Sequence, residues 1–242
     1  FSFQNGENYQ LAEFRFWNPN LNDNYNGVLV LTPGINQDGR EAVLDSVWQK
    51  FAVKHNFIIV GCYFKNYEST DKSRYIDASK GSGDILLKSI KQYSKAIFNN
   101  DINELPLLLF GMSAGGQFNY EFVAWKPEKV ISFVVNKGGY YSTGITSDES
   151  QKVPGIFFIG EDDLYYRNNM ILGIYSANRS QGANWTLITE KDTKHSLKNS
   201  KALSITFFES VMLKRLRNNV LLDISSDNPL LGFKDRKTFK EA

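Results

Sequence analysis

The stretch Leu105-Pro106-Leu107-Leu108-Leu109-Phe110-Gly111-Met112-Ser113-Ala114-Gly115-Gly116-Gln117 decides how this chain is read. Residues 105–110 have the length and composition of a buried strand, and they run directly into Gly-x-Ser-x-Gly at 111–115. In a strand–turn–helix of this form the serine occupies a sharp, strained turn, and its Oγ projects from the edge of the sheet. The glycine spacing has a steric cause: a Cβ at Gly111 or Gly115 would collide with the neighbouring strand or helix. A helix-compatible stretch follows the motif, as that geometry requires. A serine used this way needs a base, an acid to orient the base, and backbone donors for the oxyanion.

Few residues can fill those roles. The sequence has two histidines, His55 and His195, and one cysteine, Cys62. An intrachain disulfide and a cysteine metal centre are therefore excluded, and two separated histidines offer little to a metal. Cys62 follows Ile58-Ile59-Val60-Gly61 and reads as a small core residue. The 242 residues carry a net charge of +2, which makes no electrostatic case for nucleic acid or a membrane surface. The basic cluster Lys214, Arg215 and Arg217 reads as the cationic C-terminal end of a helix. No apolar run reaches the roughly 18 residues that a membrane span needs. The chain begins at Phe1, which suits a product whose signal peptide has been removed and equally a trimmed cytoplasmic segment.

Strand-like and helix-like stretches alternate, the pattern of an α/β fold with a mostly parallel sheet and helices on both faces. Strands are expected at 11–17, 27–31, 57–63, 105–110, 130–135, 155–159 and 185–189. Helices are expected at 40–55, 83–98, 114–125, 169–181 and 196–216, the first two with apolar residues at helical spacing. The segment between the strands at 130–135 and 155–159 is too short for a large cap domain. One domain over residues 1–221 is expected, followed by an irregular tail at 222–242. Gly81-Ser82-Gly83 lacks the order of a phosphate loop and reads as the start of a helix.

His55 precedes a strand and so falls at the amino edge of the sheet, whereas ligands of open parallel sheets bind at the carboxyl edge. His195 follows the last expected strand through Glu190-Lys191-Asp192-Thr193-Lys194 and is the better base. The acid should come from Glu161, Asp162 or Asp163, which follow the strand at 155–159. One oxyanion donor is expected from the N–H of Ala114. The other should lie in Thr32-Pro33-Gly34-Ile35-Asn36-Gln37, where Ile35 is the first choice and Asn36 the second. An ordinary Pro-Gly turn there would need no function.

Over roughly residues 10–220 these features resemble the α/β-hydrolase superfamily. Gly111-Met112-Ser113-Ala114-Gly115-Gly116 with Pro33-Gly34 upstream is most similar to its esterase branch, which includes polyhydroxybutyrate depolymerase-like and feruloyl esterase-like proteins. The order serine, acid, histidine is the order of that superfamily. Its acid often stands three residues after a glycine closing the strand, which points to Asp163. The resemblance implies hydrolysis of small-molecule or polymeric carboxylic esters through an acyl-enzyme, with no cofactor and no metal. It departs from the pattern in having Pro33-Gly34 where a His-Gly pair is common. Tyr140, Tyr141 and Tyr165 fall at the same edge and could line a substrate pocket or pack internally. Two alternatives stay open: a serine peptidase of the prolyl oligopeptidase type, which shares the doubled glycine, and a hydrolase-fold binding module without catalysis. Oligomeric state is not readable.

Overall fold

A computed structural model of the chain describes residues 1–19, 25–68, 74–98, 105–217 and 220–224. Besides a short antiparallel ribbon of Leu216–Arg217 and Val220–Leu221, its strands are β1 (Ser2–Gln4), β2 (Leu11–Trp17), β3 (Gly27–Thr32), β4 (Phe57–Lys65), β5 (Leu107–Gly111), β6 (Val130–Asn136), β7 (Gly155–Gly160) and β8 (Trp185–Glu190). They form one sheet in the order β1-β2-β4-β3-β5-β6-β7-β8. β1 and β2 pair antiparallel at one edge, and all pairings from β4 through β8 are parallel. The helices are α1 (Ser46–His55), α2 (Ser82–Phe98), α3 (Ala114–Trp125), α4 (Asp148–Lys152), α5 (Tyr165–Arg179) and α6 (Ser200–Arg215).

Period-two alternation splits the central strands between two cores. Leu29 and Leu31 of β3 join Trp48, Phe51, Phe207 and Phe208, which places α1 and α6 on one face. Val28 and Val30 join Leu86, Phe118, Phe122 and Ile171, which places α2, α3 and α5 on the other. Every residue of β3 is buried, so the strand reads as a continuous apolar run. The helix after β3 and the helix after β5 therefore leave neighbouring strands toward opposite faces. Such divergence opens a crevice at the carboxyl ends of those two strands.

The expected helix over 40–55 is two pieces. Arg40–Leu44 is a 3-10 turn, and Asp45 is extended (φ −64°, ψ 116°) and caps α1 by accepting the Val47 N–H at 2.9 Å. A side chain that satisfies helix-start donors stops the preceding turn from continuing. α5 begins at Tyr165, four residues before the expected start, and its first turn is Tyr165-Tyr166-Arg167-Asn168. β1 and α4 are too short for periodicity to reveal. Arg215 is buried rather than a surface cation: Nη1 donates to Leu222 O at 2.9 Å at the end of α6. Of the expected tail, only 222–224 lie within the described residues. Among the described residues no helix is long and apolar enough to cross a membrane.

Truncating Phe208, fully buried between α6 and the sheet, to alanine should destabilise the fold by about 3–5 kcal/mol. Leu213→Ala, on the exposed side of the same helix, should stay within about 0.5 kcal/mol. Urea midpoints of the two variants check the difference.

Candidate active site

Ser113 joins β5 to α3 with φ 56° and ψ −124°. A non-glycine residue in that region costs about 1–3 kcal/mol and persists only where its surroundings impose it. Here they do. Ser113 N–H donates to Asn136 O at 2.7 Å, Gly115 N–H to Met112 O at 2.9 Å, and Gln117 N–H to Ser113 O at 3.1 Å. A Cβ on Gly111 would lie 2.4 Å from the Gly115 carbonyl carbon, and one on Gly115 would lie 2.1 Å from Thr32 O. The two motif glycines thus let the start of α3 press on β5 and on the backbone leaving β3.

That backbone forms a turn against the serine. Gln37 N–H donates to Gly34 O at 3.2 Å, Gly34 N–H donates to the Gln37 side chain at 3.3 Å, and Asn36 adopts φ 59°. Tyr75 OH holds the turn from behind by donating to Pro33 O at 2.9 Å. A Cβ on Gly34 would stand 3.7 Å from Ser113 Cβ, so this turn lies directly beside the serine. Ile35 follows Gly34 in it and is exposed. Ala114 opens α3, where the first N–H groups have no intrahelical acceptor and the dipole is positive.

His195 Nδ1 lies 2.8 Å from Asp163 Oδ2. The other carboxylate oxygen accepts Leu164 N–H at 2.7 Å and Arg167 Nη1 at 2.9 Å. Burial alone would raise the Asp163 pKa. The hydrogen bonds from His195, Leu164 and Arg167 outweigh it and hold the carboxyl below its ordinary range. An ionised carboxylate only accepts, so Nδ1 of the neutral imidazole carries the proton and Nε2 keeps a free lone pair. The Asp163 side chain is 2% exposed and that of His195 29%, so the pair opens to solvent on the histidine side. Among the described residues no hydrogen bond joins Ser113 Oγ to His195.

Asp162 and Glu161 serve the loop instead: Asp162 N–H donates to Thr193 O at 3.0 Å, and the Glu161 carboxylate accepts Asp192 N–H at 3.1 Å. His55 sits in the last turn of α1 with Nε2 2.8 Å from Glu209 Oε1, at the amino edge of the sheet. Tyr140 and Tyr165 are exposed. Tyr141 is buried against Tyr120, with ring centroids 5.1 Å apart, so the structure assigns it to the core rather than to a pocket wall. A mainly apolar cleft of about 210 Å³ lies beside the serine turn, lined by Pro33, Gly34, Trp48, Phe110, Met112 and Leu197, with the Asp45–Lys201 ion pair also on its wall. Neither this cleft nor the larger depressions, of about 400 and 550 Å³, are lined by Ser113, His195 or Asp163.

Sequence reasoning missed Arg167, this cleft, and the buried pair Lys137–Glu190. Lys137 did leave a signal, a lone cation placed between the apolar run 130–135 and Gly138-Gly139. Among the described residues no group of three or more His, Cys, Asp or Glu could hold a metal ion.

No protein-family model matches this sequence, and no curated protein matches it either. Solved structures do. The chain is similar to a ferulic acid esterase over 87% of its length and 95% of that chain, at 11% identity and a TM-score of 0.64. It is similar to a poly(3-hydroxybutyrate) depolymerase from Bordetella parapertussis over 86% of its length and 87% of that chain, at 16% identity and a TM-score of 0.57. A thermostable esterase aligns with 79% of the chain at 17% identity and a TM-score of 0.57, and there the chain spans about half (54%) of the longer protein. The chain has the α/β-hydrolase fold of esterase-like proteins.

Two outcomes follow from the geometry. Gly115→Ala should cost at least about 1–3 kcal/mol by overpacking, whereas Gly144→Ala, with nothing within 4 Å of its Cβ, should be close to neutral in chemical denaturation. Because the folded pKa of Asp163 lies below its unfolded value, its charge stabilises the protein above the ordinary carboxylate range, and that contribution is lost as pH falls through the folded value. Asp163→Asn should therefore be about 1.5–3 kcal/mol less stable near pH 7, with the gap narrowing in acid; unfolding curves across pH check it.

Proposed function

We propose that the protein is a serine hydrolase that cleaves carboxylic esters through an acyl-enzyme. The observation that carries this reading is the His195–Asp163 hydrogen bond of 2.8 Å, at the same sheet edge as a serine forced into a strained strand-to-helix turn. The names of the similar structures, esterases and a polyester depolymerase, point the same way.

In this reading Ser113 Oγ attacks the ester carbonyl carbon while His195 Nε2 takes the hydroxyl proton. Asp163 stays ionised, keeps the proton on Nδ1 and stabilises the imidazolium that forms. The carbonyl π pair moves onto oxygen, and the resulting oxyanion is met by the N–H groups of Ala114 and Ile35. On collapse of the tetrahedral intermediate, the C–O bond to the alcohol breaks and His195 returns the proton to the leaving oxygen. Water then attacks the acyl-Ser113 carbonyl by the same route, which releases the acid and restores Ser113. The Gly34–Gln37 turn uses the Gly34 and Gln37 N–H groups internally, which leaves Ile35, with Asn36 second, as the donor from this loop. The apolar cleft beside the turn suits an uncharged alkyl or aryl substituent of the ester.

Turnover of a panel of aryl and alkyl esters by wild type, Ser113→Ala and His195→Ala tests the proposal. Activity should fall by about 10⁴-fold or more in both variants, and Ser113 should label with a fluorophosphonate. A wild type that neither turns over the panel nor labels would mark the chain as a non-catalytic hydrolase scaffold.

A further inference from the structure

His195 is carried by residues 191–199, which join β8 to α6. What fixes the two ends of that loop is a buried polar chain beneath it. Glu190, the last residue of β8, accepts Asn199 N–H on Oε1 at 3.0 Å, so one side chain closes the loop across nine positions. Its other oxygen binds Lys137 Nζ, and this ion pair is out of solvent, with side chains 0% and 4% exposed. Lys137 Nζ also donates to Asn136 Oδ1 at 3.0 Å, and Asn136 Nδ2 donates to Ser200 Oγ at 2.6 Å at the start of α6. The backbone oxygen of the same Asn136 accepts Ser113 N–H at 2.7 Å. A continuous chain of contacts thus links the serine turn to both ends of the histidine loop.

The arrangement is expensive. Lys137 adopts φ 54°, uncommon for a lysine, and its charge is taken fully out of water. Buried ion pairs are weak devices for stability, since neutral side chains of similar volume often replace them without loss. They do impose one geometry, because leaving either charge unpartnered is strongly unfavourable. Gly160 belongs to the same packing: a Cβ there would lie 2.4 Å from Thr193 O and 3.0 Å from Lys137 Cε. The loop, the end of β7 and the lysine are pressed together with no spare volume.

We infer that Lys137 and Glu190 are positioning residues for the reaction proposed above: their buried pair sets the place of His195 relative to Asp163 and Ser113. Neither touches the reacting atoms. The inference rests on the serine hydrolase reading for its catalytic consequence but not for its geometric one, and the experiment separates the two.

The double variant Lys137→Met/Glu190→Gln removes both charges at nearly constant volume and leaves no buried charge unpaired. It should keep a melting temperature within a few degrees of wild type. Its kcat on a reactive aryl ester should fall at least tenfold with KM little changed, since misplacement of a catalytic group by about 1 Å costs up to about 100-fold. Independently of any substrate, the downfield proton resonance of His195 Nδ1 hydrogen-bonded to Asp163 should broaden or vanish in the folded variant. Glu190→Asp, which keeps the charge but shortens its reach, should show the same kcat and resonance changes in weaker form and serves if the double variant does not fold. A folded variant with kcat within twofold of wild type and an unchanged resonance would overturn the inference. If Ser113→Ala retains full activity while the resonance is lost in the double variant, the hydrolase reading fails and the placement of His195 by the pair stands.

Discussion

The backbone approach between the end of β3 and the first turn of α3 is the constraint on which the site geometry depends. Thr32 O lies where a Cβ of residue 115 would be, and the Gly115 carbonyl lies where a Cβ of residue 111 would be. Only with both side chains absent can α3 start so close to the sheet. That closeness puts Ser113 into its strained turn and brings the 34–37 turn beside it. It also sets the positive end of α3 at the carboxyl edge of the sheet. The strain at Ser113 is tolerable because central strands buried on both faces hold the turn rigidly.

A second organisation surrounds the histidine. Here the fold uses polar rather than apolar burial. Asp163 is held ionised by three donors, although it is nearly excluded from solvent. Arg167, one turn into α5, stands on the far side of the carboxylate from His195. The loop bearing His195 is held by backbone and carboxylate contacts to residues 161 and 162, and at its ends by Glu190. Three adjacent acids after β7 thus divide their work: one faces the imidazole and two pin the loop that carries it.

Tyr140, Tyr165 and Tyr166 stand exposed around the Asp163 side, while the only cleft bordered by the 33–37 turn among the described depressions lies toward α1 and α6. The walls of that cleft are few, chiefly Trp48, Phe110 and Leu197.

Much of this was legible in the sequence, and the reason is periodicity plus sterics. Buried parallel strands write themselves as apolar runs, amphipathic helices as 3.6-residue stripes, and the motif glycines record a collision that local geometry makes unavoidable. Scarcity did the rest, since with two histidines the placement of one at a strand end nearly decides between them. Only the tertiary structure decided what depends on contacts between distant segments. The resemblance pointed to Asp163 among the three acids, but which carboxylate His195 meets is visible only in three dimensions. Tyr141 and Tyr140 are neighbours in sequence, yet packing against Tyr120 buries one and leaves the other in solvent. Asp45 ends one helical turn and begins another because its side chain bonds the backbone rather than following a pattern. Lys137 and Glu190 are 53 residues apart, and no local propensity encodes a partner at that distance. Pattern reports which face of an element is buried; it does not report which buried polar group meets which, because that is settled by the three-dimensional cost of leaving either one alone.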